Sequence, residues 1–196
     1  MDNLVKNIIH IYKFFLVSIL TGHIGTTVAA DTGNCSNLLN HNFPRLQDEK
    51  DQDLCQYQGQ VVLVVNTASF CGFTKQYKGL EKIYERYREK GFVVLGFPSG
   101  NFRNQEYATN EKIAEFCENT YGVKFPMFAK SNVVDDNGYE ANPLFSELSN
   151  LSEPPRWNFH KYLISRKGEF HKSYSSFTSP TSKGLSSEIE KLLRTN

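Results

Sequence analysis

The chain has 196 residues, of which 39% are hydrophobic and 22% are charged, and its formal net charge is +1 at pH 7. A chain of this length is expected to form one domain plus a dispensable segment at one end. The near-neutral charge gives no support for binding to nucleic acid or to anionic membranes. The four cysteines form no CxxC pair and have no histidine at zinc-ligand spacing, so no metal site is predicted.

The first 30 residues have the pattern of a secretory signal peptide. Lys6 and Lys13 lead into a short apolar core, Phe14 to Leu20, and the small residues Val28 to Ala30 suit a signal peptidase. The apolar run is too short to span a bilayer comfortably, which argues against a transmembrane anchor. We therefore expect residues 1–30 to be cleaved and a mature domain, residues 31–196, to be exported to the periplasm or secreted.

Export changes the interpretation of the cysteines, because oxidising compartments permit structural disulfides. Four cysteines allow three full pairings. Cys35 and Cys55 both lie in a polar, poorly periodic N-terminal stretch, where a covalent link would stabilise most, and we favour a bridge between them over two unpaired thiols. The neighbouring stretch, Leu38 to Gln60, is expected to form a loose hairpin or lead-in rather than part of the core.

The most informative stretch is Val61 to Thr74, VVLVVNTASFCGFT. Its valine-rich start predicts a buried central strand, and the polar residues with Gly72 predict a turn. Apolar residues then recur at helical spacing from Tyr77 to Lys90. Cys71 is therefore expected where the strand ends and the helix begins, and a helix N-terminus favours the reactive thiolate. The alternative is that Cys71 is a small buried hydrophobic residue.

The rest of the chain predicts an α/β sandwich. Gly91 ends the first helix, and the next apolar run makes a βαβ unit, which implies parallel pairing of its strands. An antiparallel hairpin follows later. The predicted elements after Gly91 are a strand at Phe92–Phe97, helices at Asn110–Glu118 and Pro143–Leu148, the hairpin strands Trp157–Ser165 and Glu169–Tyr174, and a helix at Ser182–Leu193.

Three separated motifs in this chain resemble those of glutathione peroxidases of the cysteine type. They are Asn66–Thr74, then Gly96–Pro98 with Asn104–Glu106, then Trp157–Phe159 with Lys161 and Leu163. The resemblance covers about Leu38 to Leu193. It implies a thioredoxin-like fold with a mixed central sheet flanked by helices. Thr74 stands where thioredoxins carry the second cysteine of their CxxC motif.

The resemblance also implies a catalytic tetrad of Cys71, Gln105, Trp157 and Asn158, with no cofactor. The Cys71 thiolate would attack a peroxide oxygen and become a sulfenic acid. The side-chain amide of Gln105 and the indole N–H of Trp157 are uncharged donors suited to stabilising the thiolate and the developing oxyanion. Asn158 would position the peroxide or help to move a proton.

Cys117 falls where many members of this family carry the resolving cysteine. A Cys71–Cys117 disulfide needs Cα atoms within about 7 Å, so the predicted Asn110–Glu118 helix must unwind if the two lie further apart. The alternative is a buried cysteine with only a packing role. A resolving cysteine favours a thioredoxin-like protein as the thiol reductant, with glutathione as the other candidate.

Departures from the family pattern bear on assembly and substrate. Ser99 replaces a cysteine found in many relatives, and Gly100, Asn101 and Arg103 alter the following loop. The short stretch between Phe145 and Trp157 lacks the insertion that tetrameric relatives use, which predicts a monomer.

The leading hypothesis is an exported antioxidant thiol peroxidase. A non-catalytic redox-sensing or binding module remains an alternative, and Thr74 makes a disulfide exchange enzyme less favoured.

Overall fold

The computed structural model describes residues 35–136 and 138–195, so the signal peptide predicted for residues 1–30 lies outside the described residues. In chain order, the helices and strands of the described residues are β1 (Asn42–Pro44), β2 (Asp51–Asp53), β3 (Val61–Thr67), α1 (Gln76–Tyr87), β4 (Phe92–Pro98), α2 (Asn110–Tyr121), α3 (Pro143–Leu151), β5 (Lys161–Ile164), β6 (Phe170–Tyr174) and α4 (Lys183–Arg194). No helix among these residues is long and apolar enough to cross a membrane.

The main sheet has four strands in the order β4-β3-β5-β6. Strand β3 pairs with β4 in parallel, from Val61 opposite Phe92 to Thr67 opposite Pro98. It pairs with β5 on its other side in antiparallel fashion, and β5 pairs with β6 in the same way. The parallel βαβ unit and the antiparallel hairpin predicted from the sequence are both confirmed, and they share one mixed sheet.

Strand β3 is buried on both faces because helices cover both sides of the sheet. Val61, Leu63 and Val65 face one apolar core, which also contains buried residues of α1, α2 and α4. Val62 and Val64 face a second core, which contains the buried residues of α3. The continuous β-branched run of this strand is typical of such two-sided burial.

The expectation that residues 38–60 lie outside the core is wrong. Strands β1 and β2 do form a small antiparallel hairpin, but this region contributes apolar side chains to the second core and Leu46 to the first. Its structured pieces are only three or four residues long, too short to show a hydrophobic period in the sequence. The buried side chains are Leu38, Leu39, Phe43, Leu46, Leu54 and Tyr57.

The N-terminal region carries the expected disulfide. Cys35 and Cys55 are bonded to each other, with their Cα atoms 5.5 Å apart. The bond joins the residues just before the hairpin to the short 3-10 helix Leu54–Tyr57 that follows it. It therefore closes a loop around β1 and β2, which are too short to be stable alone.

Several element ends differ from the expectation in ways that matter for function. Helix α2 continues to Tyr121, past the predicted end at Glu118, and stops at Gly122, whose φ is +61°. Strand β5 begins only at Lys161, because Phe159 has a φ of +63° and turns the chain. Trp157 and Asn158 consequently lie in a turn and not in a strand.

A segment after α2 lies along the outer side of β4. The backbone N–H of Gly96 donates to Pro126, and the N–H of Phe128 donates back to Gly96, each at 2.9 Å. Residues of the N-terminal hairpin bond to the far side of this segment, with Leu46 donating to Met127 and Ala129 donating to Pro44. A side chain at Gly96 would collide with that of Met127, so the close approach requires glycine here.

Candidate active site

Cys71 lies in a tight turn after β3. Cys71 lies between the end of β3 and the start of α1 at Gln76, as expected, but turns at residues 72–75 separate it from the first helical residue. The backbone N–H of Phe73 is 3.4 Å from the Cys71 sulfur. A backbone donor therefore reaches the thiol from this turn. The Cys71 residue is only 9% exposed.

Thr74, in the place of a second cysteine, holds the Cys71 turn together. Its hydroxyl oxygen accepts a hydrogen bond from the Cys71 N–H at 3.0 Å and donates to the carbonyl of Ala68 at 2.9 Å. Its own N–H donates to the Cys71 carbonyl at 3.0 Å. The turn thus contains only one thiol, because Thr74 supplies a structural hydroxyl in place of a second cysteine. Disulfide exchange by two cysteines of this turn is therefore not possible.

Gln105 is brought to the Cys71 turn by the loop that follows β4. Two consecutive residues of that loop, Arg103 and Asn104, have positive φ values of 59° and 50°, which reverse the chain just before Gln105. The backbone N–H of Phe70 then donates to the Gln105 carbonyl at 2.9 Å. Gln105 is thereby fixed beside the residue that precedes Cys71.

Asn158 meets Gln105 through its side chain. The Nδ2 of Asn158 donates to Oε1 of Gln105 at 3.1 Å. Asn158 is completely buried, and its own Oδ1 has no protein partner among the described residues. Because the Gln105 oxygen is occupied by this bond, the NH₂ group of Gln105 remains its available end and can donate.

Trp157 lies in a turn whose backbone is fixed by hydrogen bonds to Asn66. The buried side chain of Asn66 donates to the Trp157 carbonyl at 3.2 Å and accepts from the N–H of His160 at 2.9 Å. The Asn66 carbonyl also accepts from the N–H of Phe159 at 2.7 Å. The indole packs against the apolar core that contains Cys71, and the Arg103 guanidinium lies 5.6 Å from the ring.

Cys117 lies on α2 and is only 3% exposed. It belongs to the same apolar core as Cys71, and both thiols are free. Burial raises the pKa of Cys117 to about 12, so at neutral pH its thiol is protonated. The structure therefore shows the two cysteines in their reduced state, with the predicted resolving cysteine inside an intact helix.

Two buried charged residues near the site were not among the residues predicted to act there. Lys161 is fully buried on β5, and its Nζ donates to the carbonyl of Phe159 at 2.6 Å. Burial lowers the pKa of Lys161 to about 7. Glu106 is only 6% exposed, directly after Gln105. The sequence could have indicated Lys161, because a lysine inside an otherwise apolar strand is unusual. It could not have indicated Glu106, because a glutamate in a polar loop gives no sign that it will be buried.

Exposed aromatic side chains stand on two sides of the Cys71 turn. Phe70 is 54% exposed and its ring lies 4.4 Å from that of Tyr107. Phe177 is 85% exposed and its ring lies 5.2 Å from that of Phe73. The surface around the site is therefore apolar on both sides.

The chain is similar to known proteins over most of its length. The family model for glutathione peroxidase matches residues 41–149. The glutathione peroxidase-like peroxiredoxin gpx1 of Schizosaccharomyces pombe is 44% identical over 155 residues, which are 76% of this chain and 95% of that protein. The glutathione peroxidase homolog BsaA of Halalkalibacterium halodurans is 46% identical over 159 residues, covering 78% of this chain and 98% of that protein.

A further relative carries a substrate in its name. The hydroperoxy fatty acid reductase gpx1 of Synechocystis is 44% identical over 151 residues, which are 71% of this chain and 86% of that protein. All three relatives are matched over most of their own length. The similarity therefore extends over whole domains and not only over the three short motifs.

Solved structures extend the comparison to the fold. The crystal structure of Trgpx in apo form is 34% identical with a TM-score of 0.65, covering 83% of this chain and 98% of that one. A thiol:disulfide interchange protein of the thioredoxin family from Chlorobium tepidum is 12% identical with a TM-score of 0.57, covering 78% of this chain and 92% of that one. The second likeness concerns the fold alone, which confirms the expected thioredoxin-like architecture.

Proposed function

The chain belongs to the glutathione peroxidase family and is a thiol peroxidase, and we propose that it reduces hydrogen peroxide and organic hydroperoxides through a sulfenic acid at Cys71. The observation that carries this proposal is the hydrogen bond between Asn158 and Gln105 beside the Cys71 turn. It joins two polar side chains from distant parts of the chain next to a single thiol. The apolar surroundings of Phe70 and Phe177 suit organic peroxides as well as hydrogen peroxide.

In the first step the Cys71 thiolate attacks one peroxide oxygen and the O–O bond breaks. The attacked oxygen stays on sulfur as the sulfenic acid, and the other leaves as water or an alcohol after taking up a proton. Negative charge moves from sulfur to the departing oxygen during this step. The NH₂ of Gln105 and the indole N–H of Trp157 are the donors proposed to stabilise it, and the N–H of Phe73 helps to hold the thiolate.

In the second step the Cys117 thiol attacks the Cys71 sulfur, forming the disulfide and releasing water. Cys117 is buried in α2, so the helix opens locally before the two sulfurs meet. The resulting intramolecular disulfide is a substrate for a thioredoxin-like dithiol protein, which we propose as the reductant. Glutathione is the second candidate, and it would act directly on the sulfenic acid if Cys117 did not.

We also propose that the mature protein is exported and monomeric. The Cys35–Cys55 disulfide supports export, because such bonds persist in oxidising compartments. The short connection between α3 and Trp157 supports a monomer, since it offers no insertion for assembly. Expression of the full chain, followed by N-terminal sequencing of the secreted product and sedimentation analysis, tests both. A product that keeps residues 1–30 and stays in the cell would contradict export. A tetramer in solution would contradict the monomer.

The experiment that tests the mechanism compares wild type, Cys71→Ser and Cys117→Ser. Each reduced protein is mixed with peroxide, and free thiols, sulfenic acid and turnover with a dithiol reductant are measured. We expect Cys71→Ser to consume no peroxide while keeping its fold. We expect Cys117→Ser to reduce one peroxide per molecule at the wild-type rate, accumulate sulfenic acid and lose turnover. Unchanged turnover in Cys117→Ser would instead favour glutathione as the resolving agent.

A further inference from the structure

The loop between β4 and α2 contains a cation that the proposed mechanism does not use. Arg103 is exposed and lies two residues before Gln105. Its backbone φ is +59°, in the left-handed region that glycine adopts freely and that residues with a long side chain seldom adopt. Holding an arginine in this conformation costs free energy, and strain of this kind often accompanies function. The side chain of Arg103 is the part of the residue that a glycine could not supply.

The Arg103 side chain lies beside a proposed hydrogen-bond donor of the site. Its guanidinium is 5.6 Å from the centre of the Trp157 ring, within the distance at which an indole attracts a cation. The ring of the preceding residue, Phe102, lies 5.7 Å from the ring of the same tryptophan. Two consecutive side chains of the loop therefore flank Trp157, and one of them places a positive charge next to it.

Hydrogen bonds within the loop fix the backbone that carries this cation. The N–H of Asn104 donates to the Gly100 carbonyl at 3.0 Å. The side-chain oxygen of Asn101 accepts from the Ser99 hydroxyl at 2.7 Å and from the backbone N–H of Val133 at 2.8 Å. The loop is therefore closed on itself and bonded to the segment after α2, so the position of its cation is built into the fold.

The charge of Arg103 is available to a ligand. Arg103 forms no ion pair with any carboxylate in the part of the chain that the structure describes. The other arginine next to the tryptophan, Arg156, is already paired with Glu153 at 3.2 Å. A guanidinium is planar and presents two parallel N–H donors to a carboxylate, which makes it well suited to bind that group.

We propose that Arg103 binds the carboxylate of anionic organic hydroperoxides and gives this peroxidase a preference for them over neutral hydroperoxides of equal size. This inference rests on the proposed function, in which Cys71 attacks the peroxide beside Trp157. Because the guanidinium lies 5.6 Å from the centre of the indole, the carboxylate and the peroxide group of one small molecule can reach Arg103 and Trp157 together. Arg103 determines specificity in this scheme and takes no part in breaking the O–O bond.

The surroundings of the guanidinium define the rest of the ligand. The rings of Phe102 and Trp157 supply apolar surface next to the charge, so the ligand has an apolar body between its carboxylate and its peroxide group. Glutathione also carries carboxylates, and one of them could meet Arg103 when glutathione reduces the oxidised Cys71. The two ligands react in different steps, so the two steps are measured separately.

The test measures the rate of Cys71 oxidation by a matched pair of hydroperoxides. The anionic probe is para-carboxy cumene hydroperoxide. The neutral probe is its carboxamide, which has nearly the same size and the same O–O bond. Reduced protein is mixed with each probe under single-turnover conditions, and the ratio of the anionic to the neutral second-order rate is compared between variants. Both rates depend on the same Cys71 thiolate, so an effect on the thiol itself cancels in the ratio.

Three variants show whether the charge of Arg103 sets this ratio. In Arg103→Gln we expect the ratio to fall roughly fivefold, which corresponds to the upper range for an exposed ion pair. Arg103→Lys keeps the charge without the planar fork, so it should keep part of the preference. Lys82→Gln is the control, because it removes the same charge from an exposed residue of α1. The control should leave the ratio unchanged.

Salt and a glycine variant separate binding of the carboxylate from a structural role. In wild type the preference should shrink as ionic strength rises from about 0.01 M to about 1 M, because the screening length falls from about 30 Å to about 3 Å. Arg103→Gly relieves the left-handed backbone, so it should lose the preference while its melting temperature stays the same or rises. A residue with only a structural role would lower both rates equally and lower the melting temperature.

Several outcomes would overturn the inference. They are a wild-type ratio that does not depend on salt, an Arg103→Gln ratio equal to that of wild type, and an equal fall of the ratio in Lys82→Gln. An effect of Arg103→Gln confined to the reduction of oxidised Cys71 by glutathione would also overturn it, because the guanidinium would then serve the reductant.

The inference and the proposed function fail in different ways. If Cys71→Ser still consumes peroxide, Cys71 is not the attacking residue and the proposed function is wrong. If Cys71→Ser is inactive while Arg103→Gln keeps the wild-type ratio, the role of Cys71 stands and only the role of Arg103 is wrong.

Discussion

Asn158 and Gln105 lie 53 residues apart in the chain and share a hydrogen bond of 3.1 Å beside the Cys71 turn. The bond uses the oxygen of Gln105 and leaves its NH₂ as the available donor. In Gln105→Glu the new carboxylate still accepts from Asn158 but has nothing to donate. We therefore expect the second-order rate of peroxide reduction to fall about 100-fold, measured by peroxide consumption under single-turnover conditions.

Asn104→Asp is the control for Gln105→Glu. It places the same negative charge on the adjacent, exposed residue, whose left-handed backbone tolerates aspartate. A similar loss of rate in both variants would show that charge, and not the missing donor, slows the reaction.

Asn66 fixes the turn that carries Trp157 and Asn158. Its side chain makes two hydrogen bonds to backbone groups of that turn, and Asn66 is fully buried. Asn66→Ala leaves the Trp157 carbonyl and the His160 N–H without these partners. We expect the free energy of unfolding to fall by about 1–3 kcal/mol, measured by urea denaturation, together with slower peroxide reduction. Slower reduction without any loss of stability would assign Asn66 a direct role in the chemistry.

Lys161 should make stability depend on pH in a defined window. Its folded-state pKa is lowered to about 7 from an ordinary value of 10.5, so between these values the unfolded chain holds a proton that the folded chain has lost. Stability from this group therefore increases as pH rises from 7. Because methionine does not titrate, we expect the stability difference between wild type and Lys161→Met to shift by about 1 kcal/mol per pH unit toward wild type from pH 7 to 8.5.

Equilibrium unfolding in urea at half-unit pH intervals measures this difference. Cys117 and the buried tyrosines are present in both variants, so their titration cancels in the difference. A constant difference across the window would mean that Lys161 keeps an ordinary pKa in the folded protein.

The Cys35–Cys55 disulfide should be a major contributor to stability. The two cysteines are 20 residues apart in sequence, and closing a loop of that size stabilises by about 3 kcal/mol in the chain-entropy model. We expect the double variant Cys35→Ser/Cys55→Ser to lose roughly this amount while its peroxide reduction rate stays unchanged. Alkylation of both cysteines in the purified protein without reductant would show that the bond does not form.

The sequence predicted those features that have a strong local signature. The valines of β3 predicted a buried strand, and this is confirmed. Gly91, with a φ of +85°, ends the first helical segment as expected. The N-terminal region was misjudged because Leu39 and Phe43 belong to very short elements, whose burial depends on contacts with distant strands. No local pattern reports such contacts.

The residues of the candidate site also differ in how far local sequence patterns could predict them. The position of Cys71 followed from a strand, a turn and a helix in succession, whereas the roles of Gln105, Trp157 and Asn158 came from family resemblance. Glu106 was missed because its burial depends on tertiary contacts, such as the hydrogen bond that its carboxyl accepts from the backbone of Ser69, 37 residues away. A glutamate's local sequence gives no information on whether its carboxyl will be solvated.

The segment along β4 has a consequence for the behaviour of the protein in concentrated solution. A bare sheet edge offers unpaired backbone groups to other copies and so promotes aggregation. Residues 126–129 bond to β4 at Gly96, and Pro44 and Leu46 bond to that segment in turn. The Cys35–Cys55 bond closes the loop that contains this outer layer. Loss of the disulfide would therefore weaken the contacts that cover this sheet edge. We expect the solubility of the protein to fall together with its stability.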